Sequence, residues 1–453
     1  MRVSASATRG PVDVTGTPLA EQPIRMVTEP PGPLAQAAIA QQKPFVSPSL
    51  IYCYPLFVRR ASGCMVEDLD GNVYLDAQAG VATASTGHCH PAVAAAVAAQ
   101  AQELIHICGT DFYYPAYGDV CARLNGLAAR LSPGTPIVWQ TFLTNSGTEA
   151  VEAALKLARN HTERTAIVAF RGGFHGRSLG SLSLTASKTK YRKHFGPFLP
   201  GVFHGAWGDA ASVENELFAH LVAPEDVAAI VVEPVLGEGG YLLPPPDFLP
   251  ALRRICDRHG ILLVFDEVQS GMGRTGKMFA AEHFGVVPDI MLLAKGIASG
   301  MPLGAMMARR EIMTWPPGSH GSTCAGNPVC CAAALATMDL LDGGGLVENS
   351  ARQGNALRER LARELGAKDG VVDVRGLGLM IGVEFDNHAR ADAVANLCFR
   401  RGLLVLECGT KAIRISPPLI VTDQQVETIA QVFTGACRDV FHARTSHARP
   451  AQP

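Results

Sequence analysis

The chain has 453 residues, 47% hydrophobic and 18% charged, and its 39 basic and 41 acidic side chains leave a net charge of −2. That length allows about two or three domains with a large core, and the composition excludes a disordered chain. Without a basic stripe or acidic tail, binding of nucleic acid through charge is excluded too, and no apolar run approaches the roughly 18 residues of a membrane helix.

Residues 1–35 read as a flexible N-terminal arm, with Pro30-Pro31 and no apolar core of a secretory signal. From Ile51 to Leu75 short strand-like runs alternate with turns, Phe57–Arg60 and Cys64–Asp68 among them, and Asp70-Gly71-Asn72 marks a hairpin. His90–Leu104 is Ala-rich and helical. Strands are predicted at Ile137–Thr144, Ala166–Phe170, Ala228–Glu233, Ile261–Phe265 and Ile290–Leu293, and helices at Thr148–His161 and Phe248–His259. The fully apolar runs among these fit strands buried on both faces, and the alternation predicts a parallel sheet wrapped by helices. A further helix runs from Asn327-Pro328 to about Leu341 and stops at Gly343-Gly344-Gly345. A smaller α+β unit follows: helices near 350–365 and 390–400, strands near 371–375, 380–385, 403–406 and 412–415. Twelve cysteines lie between Cys53 and Cys437 with no CxxC pair, which predicts reduced thiols in the cytoplasm.

Three motifs invite misreading. Gly271-Met272-Gly273-Arg274-Thr275-Gly276 fits a dinucleotide fingerprint, but five residues separate it from the preceding strand and no acid-ending second strand follows. Gly176-Arg177-Ser178-Leu179-Gly180 fits a nucleophile elbow, yet Gly172-Gly173 already turns the chain away from the strand. His88-Cys89-His90 has no further ligand at a usual metal spacing, so no metal is expected.

The chemistry gathers elsewhere. Only 9 of the 39 basic residues are lysines, and Lys295 directly follows an apolar strand. Poor hydration there disfavours the ammonium, and the neutral amine can attack an aldehyde to form a Schiff base. Asp266 ends the apolar run Ile261–Phe265, where a carboxylate needs a cationic or hydrogen-bonding partner. A pyridinium nitrogen is such a partner, and its protonation makes the ring an electron sink. Ser146-Gly147-Thr148 opens a helix whose free amides suit a phosphate, although a plain N-cap with Glu149 in the first turn would look the same. Together the three features match the needs of pyridoxal 5'-phosphate.

With these residues the sequence resembles the class III aminotransferases of PLP fold type I, the group that includes 4-aminobutyrate, ornithine and acetylornithine aminotransferases. The likeness spans roughly residues 30–435 and rests on Thr144–Ala150, Gly173–Arg177, Glu233–Gly240, Asp266–Gln269, Gly273–Gly276, Lys295-Gly296 and Gly321–Thr323. It implies an α/β fold: a large domain with a mostly parallel seven-stranded sheet plus a smaller α+β domain. The implied division is a 1–35 arm, a 36–85 segment contributing to the small domain, a large cofactor domain at 86–342, a small domain at 343–442 and a disordered tail at 443–453.

The resemblance also implies roles. Lys295 is the Schiff-base lysine and proton carrier, and Asp266 pairs with the pyridine nitrogen. Val268 and Phe174 cover the two ring faces, and Gln269 bonds the ring hydroxyl. Ser146, Gly147 and Thr148 hold the phosphate, and His175 joins the cofactor set. Thr323 reaches the phosphate of a neighbouring subunit, which makes the enzyme a homodimer with shared sites. Arg414 binds the substrate α-carboxylate, Glu238 pairs with Arg414 when an ω-amine is bound, Arg177 takes a distal carboxylate, and Glu233 joins the substrate set. The implied reaction is transfer of an amino group between an amine donor and a keto acid or aldehyde in two half-reactions. Within the same resemblance stand two alternatives: an amino-acid racemase or epimerase with Glu238 as second acid, and an amino-sugar enzyme of secondary metabolism. Thr83-Ala84-Ser85-Thr86 carries smaller and more polar residues than relatives often do, which predicts a wider, more polar substrate entrance. Cys324-Ala325 likewise stands where Phe-Gly is usual.

Overall fold

The protein is described by a computed structural model covering residues 17–134 and 136–445. Its centre is a seven-stranded sheet in the order Trp139–Thr144, Gly304–Arg309, Ile290–Leu293, Leu262–Asp266, Val227–Val232, Ala166–Phe170, Val202–Gly205. Gly304–Arg309 runs antiparallel to both neighbours, and the remaining strands run one way. The apolar runs are buried on both faces because successive side chains alternate. Leu263 and Phe265 face one hydrophobic cluster, together with helices Pro91–Glu103, Pro115–Ala129, Phe248–His259 and Pro328–Asp342. Leu262 and Val264 face another, under helix Gly147–Thr162.

Two further sheets have four strands each. One joins Val58–Ser62, Met65–Asp68 and Val73–Asp76 to Leu403–Leu404, so an early segment of the chain pairs in parallel with a late one. The other holds Val371–Leu377, Met380–Phe385, Ala412–Ile415 and Leu406–Cys408 in antiparallel order, and it carries Arg414. Among the described residues no single helix is long and apolar enough to cross a membrane.

The flexible arm expected over 1–35 does not extend through residues 17–35. Leu19–Glu21 forms a tight 3-10 turn, Arg25 bridges Val73, and helix Pro33–Gln42 begins within the arm. The reason lies in the hairpin turn at Asp70–Asn72. The Asp70 carboxylate caps that helix, accepting from the Leu34 and Ala35 amides at 2.8 Å each. Asn72 Oδ1 accepts from Val27 and Thr28 at 2.7 and 2.9 Å. Residues 443–445 close the final helix, Asp423–Thr445, and so are not a disordered tail; residues 1–16 and 446–453 lie outside the described residues.

The misleading motifs have structural employment. Arg274, inside the glycine run, is fully buried and donates to the carbonyls of Leu379 and Pro417 at 3.0 and 2.6 Å. His88 pairs with Asp76 at 2.7 Å, and His90 caps the helix that follows it.

Candidate active site

The loops that leave the carboxyl ends of the parallel strands enclose a cavity of about 430 Å³, the usual place for a ligand in such sheets. Strand Trp139–Thr144 delivers Ser146, the N-cap of helix Gly147–Thr162, and the first-turn amides of Gly147 and Thr148 point out of the helix end. The Thr148 hydroxyl is engaged at 2.8 and 2.6 Å with Ser178 and Ser181, which sequence reasoning did not select. Ser178 is the serine of the false nucleophile elbow, so that run borders the anion end of the site.

Asp266 is the last residue of its strand, and Lys295 follows the neighbouring strand. Asp266 is 4% exposed, and its Oδ2 accepts from His175 Nδ1 at 2.8 Å while Oδ1 accepts from the Val268 amide at 3.1 Å. Burial disfavours the imidazolium of His175, but the hydrogen bond and charge of Asp266, with Glu233, outweigh it and raise its pKa. Glu233 accepts from the Phe174 and Gly237 amides at 2.8 Å each, and burial raises its pKa to about 7. Lys295 is pulled down to about 8, first by burial and then by Arg414, against the pull of Glu233, Asp266 and Glu238. Its backbone sits in the left-handed region at φ +45°, an uncommon state for lysine. Val268, Phe174 and Gln269 complete this end of the cavity, and Gln269 Oε1 accepts from buried Tyr241 at 2.9 Å.

Arg177 also lines the cavity and lies 4.8 Å over the ring of Tyr191, against which Phe174 packs edge-on. Tyr191 donates to Glu238 at 3.0 Å. Glu238 also meets Lys188 at 3.1 Å and Arg414 at 3.2 Å. Burial opposes its ionisation, but Arg414 and Lys188 override it and hold its carboxyl below the usual range. Neither Glu238, Arg414 nor Thr323 lines the cavity; Thr323 is exposed, next to Ser322, which accepts from the cavity-lining Asn145 at 3.1 Å. Of the segment expected to widen the entrance, only Thr83 lines the cavity. Ala84, Ser85 and Thr86 are buried, and Thr86 bonds Ser299 at 2.8 Å. Lys188 and Tyr191 were not singled out from sequence. The one available signal was the scarcity of lysine.

The family description "Aminotransferase class-III" matches residues 51–437. The chain belongs to the class III aminotransferases. It is 44% identical over 386 residues to an acetylornithine aminotransferase of Methanopyrus kandleri, covering 85% of this chain and 95% of that one. It is 40% identical over 408 residues to a 4-aminobutyrate aminotransferase of Escherichia coli, covering 84% and 94%. An ornithine aminotransferase structure from Toxoplasma gondii, with partial PLP occupancy, superposes with a TM-score of 0.83 at 31% identity over 90% of this chain and 96% of that one. This aminotransferase therefore uses pyridoxal phosphate and moves an amino group from an amine donor to a keto acid or aldehyde.

Its residues suit that group. A buried carboxylate faces the cavity for the ring nitrogen, apolar Val268 and Phe174 line its walls, and a helix end offers amides to the phosphate. A methyl on Gly147 would lie 2.9 Å from Val268 Cγ1, so glycine keeps this approach open. With Lys295 lowered to about 8, its neutral amine becomes abundant well below the ~10.4 of free lysine. Capture of pyridoxal phosphate by the apoenzyme, followed by stopped-flow absorbance, should therefore accelerate as pH rises through about 8 and level off above it. An acceleration centred near 10 would contradict the assignment.

Proposed function

We propose that this aminotransferase alternates between an ω-amine and an α-amino acid with its keto acid, and that Glu238 and Arg414 sort the two. The observation that carries this reading is the 3.2 Å pair between buried Arg414 and Glu238, which Tyr191 connects to Arg177 on the cavity wall. An ω-amine brings no carboxylate to Arg414, so Glu238 neutralises it and no buried charge is stranded. An α-amino acid brings its own carboxylate, and Glu238 gives way. Arg177, on the cavity rim, takes a distal carboxylate through its planar fork.

Pyridoxal phosphate, when bound, supplies an aldehyde carbon for the amino group and a ring that withdraws electrons from it. Lys295 would hold the cofactor and supply the amine that accepts and returns a proton, a task suited to a pKa of about 8. Asp266 would meet the ring nitrogen, and His175 acts through Asp266 by orienting that carboxylate. Val268 and Phe174 confine the ring, Gln269 meets its hydroxyl, and Ser146, Gly147 and Thr148 hold the phosphate. Glu233 accepts from two backbone amides, which fixes the loop bearing Phe174, and as a cavity-lining carboxyl group it stays in the substrate set. The racemase alternative needs Glu238 as a proton donor, but its lowered pKa leaves it an ionised acceptor.

The reading includes a cytoplasmic homodimer in which Thr323 reaches the partner's phosphate. Exposed apolar side chains at Phe45, Tyr52, Ile105 and Tyr113 support a covered face. Sedimentation at assay concentration should give a dimer; an active monomer would overturn this.

Arg414→Ala should weaken glutamate by about 2–5 kcal/mol, since a buried carboxylate loses its partner, and affect an ω-amine much less. Glu238→Ala should do the reverse. Single-turnover spectra of each half-reaction measure both, and equal losses for the two substrate classes in both variants would sink the switch.

A further inference from the structure

Glu238 has more partners than the pair with Arg414 requires. Its Oε2 meets Arg414, while its Oε1 accepts from Lys188 at 3.1 Å and Tyr191 at 3.0 Å. Its backbone carbonyl accepts from the Gly409 amide at 2.7 Å, which ties Glu238 to the turn between Leu406–Cys408 and the strand that carries Arg414. The satisfaction is uneven. The acid has three donors, whereas buried Arg414 keeps its Nε without a partner among the described residues.

We propose that Lys188, with Tyr191, is a specificity-determining positioning residue that keeps Glu238 neutralised when it releases Arg414, so that substrates with an α-carboxylate gain access. This inference rests on the Glu238–Arg414 reading above. A carboxylate leaving a buried guanidinium with nowhere to go would be stranded without a partner, an unfavourable state. Here Oε1 stays bound by Lys188 and Tyr191 while Oε2 turns away, and the backbone anchor at Gly409 confines the movement to the side chain. Arg414 in turn has donors to spare for an incoming carboxylate. The exchange swaps one ion pair for another and leaves no charge unpaired. Lys188 is one-quarter exposed, so its ammonium can stay hydrated throughout.

Lys188→Met removes this second anchor and leaves Glu238 clamped on Arg414. Two donors test it, because glutamate and 4-aminobutyrate share a distal carboxylate and differ in the α-carboxylate. The expected result is a KM for glutamate about tenfold higher with kcat within twofold, an unchanged KM for 4-aminobutyrate, and restoration by Lys188→Arg. In a Glu238→Gln background Lys188→Met should have no effect on glutamate. An equal rise in KM for both donors would mean that Lys188 meets the distal carboxylate, and it would overturn the proposal. An unchanged KM for glutamate would overturn it as well. If Arg414→Ala remains selective for glutamate while Lys188→Met is silent, this inference alone fails. If Arg414→Ala strikes both donors equally, the two-substrate reading fails and takes this inference with it.

Discussion

The ion pair between Asp266 and His175 is what the other parts of the site are arranged around. Both side chains are almost fully buried, and a lone charge at that depth would cost several kcal/mol. The 2.8 Å contact staples the loop after Ala166–Phe170 to the end of Leu262–Asp266. The Asp266 carboxyl group faces the cavity and biases its titratable neighbours. It helps raise Glu233 to about 7, and it pulls against the burial and the Arg414 charge that bring Lys295 down to about 8. One buried carboxyl group thus faces the cavity beside an amine whose pKa is lowered to about 8.

The sheet makes this possible because its parallel strands end on one edge, so residues far apart in sequence converge without long side chains. Convergence has a conformational cost. Lys295 is left-handed, and so are the four consecutive residues Ala79, Gly80, Val81 and Ala82, with φ between +50° and +63°. Each such non-glycine residue costs on the order of 1–3 kcal/mol. Asp76 holds that turn, accepting from the Gln78 and Ala79 amides at 2.8 and 2.9 Å while its other oxygen meets His88 at 2.7 Å. The turn sets Thr83 on the cavity wall and directs Ser85 and Thr86 inward, which is why small residues there do not widen the entrance.

Much of this was legible in the sequence. The apolar runs ending at Phe265 and Leu293 announced buried parallel strands, and Asp266 and Lys295 stood out because polar groups at such ends need partners. Other parts carried no local signal. Gly304–Arg309 is not among the strands expected from sequence; its pairing with Trp139–Thr144 makes it one. Residues 17–35 look like a tail because their order comes from Asp70 and Asn72, distant in sequence. Lys188 and Tyr191 sit in a polar loop, and nothing short of the fold tells that they face Glu238. His175 was visible as part of a motif, but its partnership with Asp266, 91 residues away, is set only by the fold.

The central claim is that Lys295, beside the Asp266–His175 pair, is where the cofactor is held. Borohydride reduction of the pyridoxal phosphate-loaded enzyme, followed by peptide mass mapping, tests it most directly. The account predicts a single stable cofactor adduct on the peptide containing Lys295, lost when Lys295 is replaced by Ala. An adduct on Lys188 or another lysine, or the same adduct yield in the Lys295→Ala variant, would contradict it.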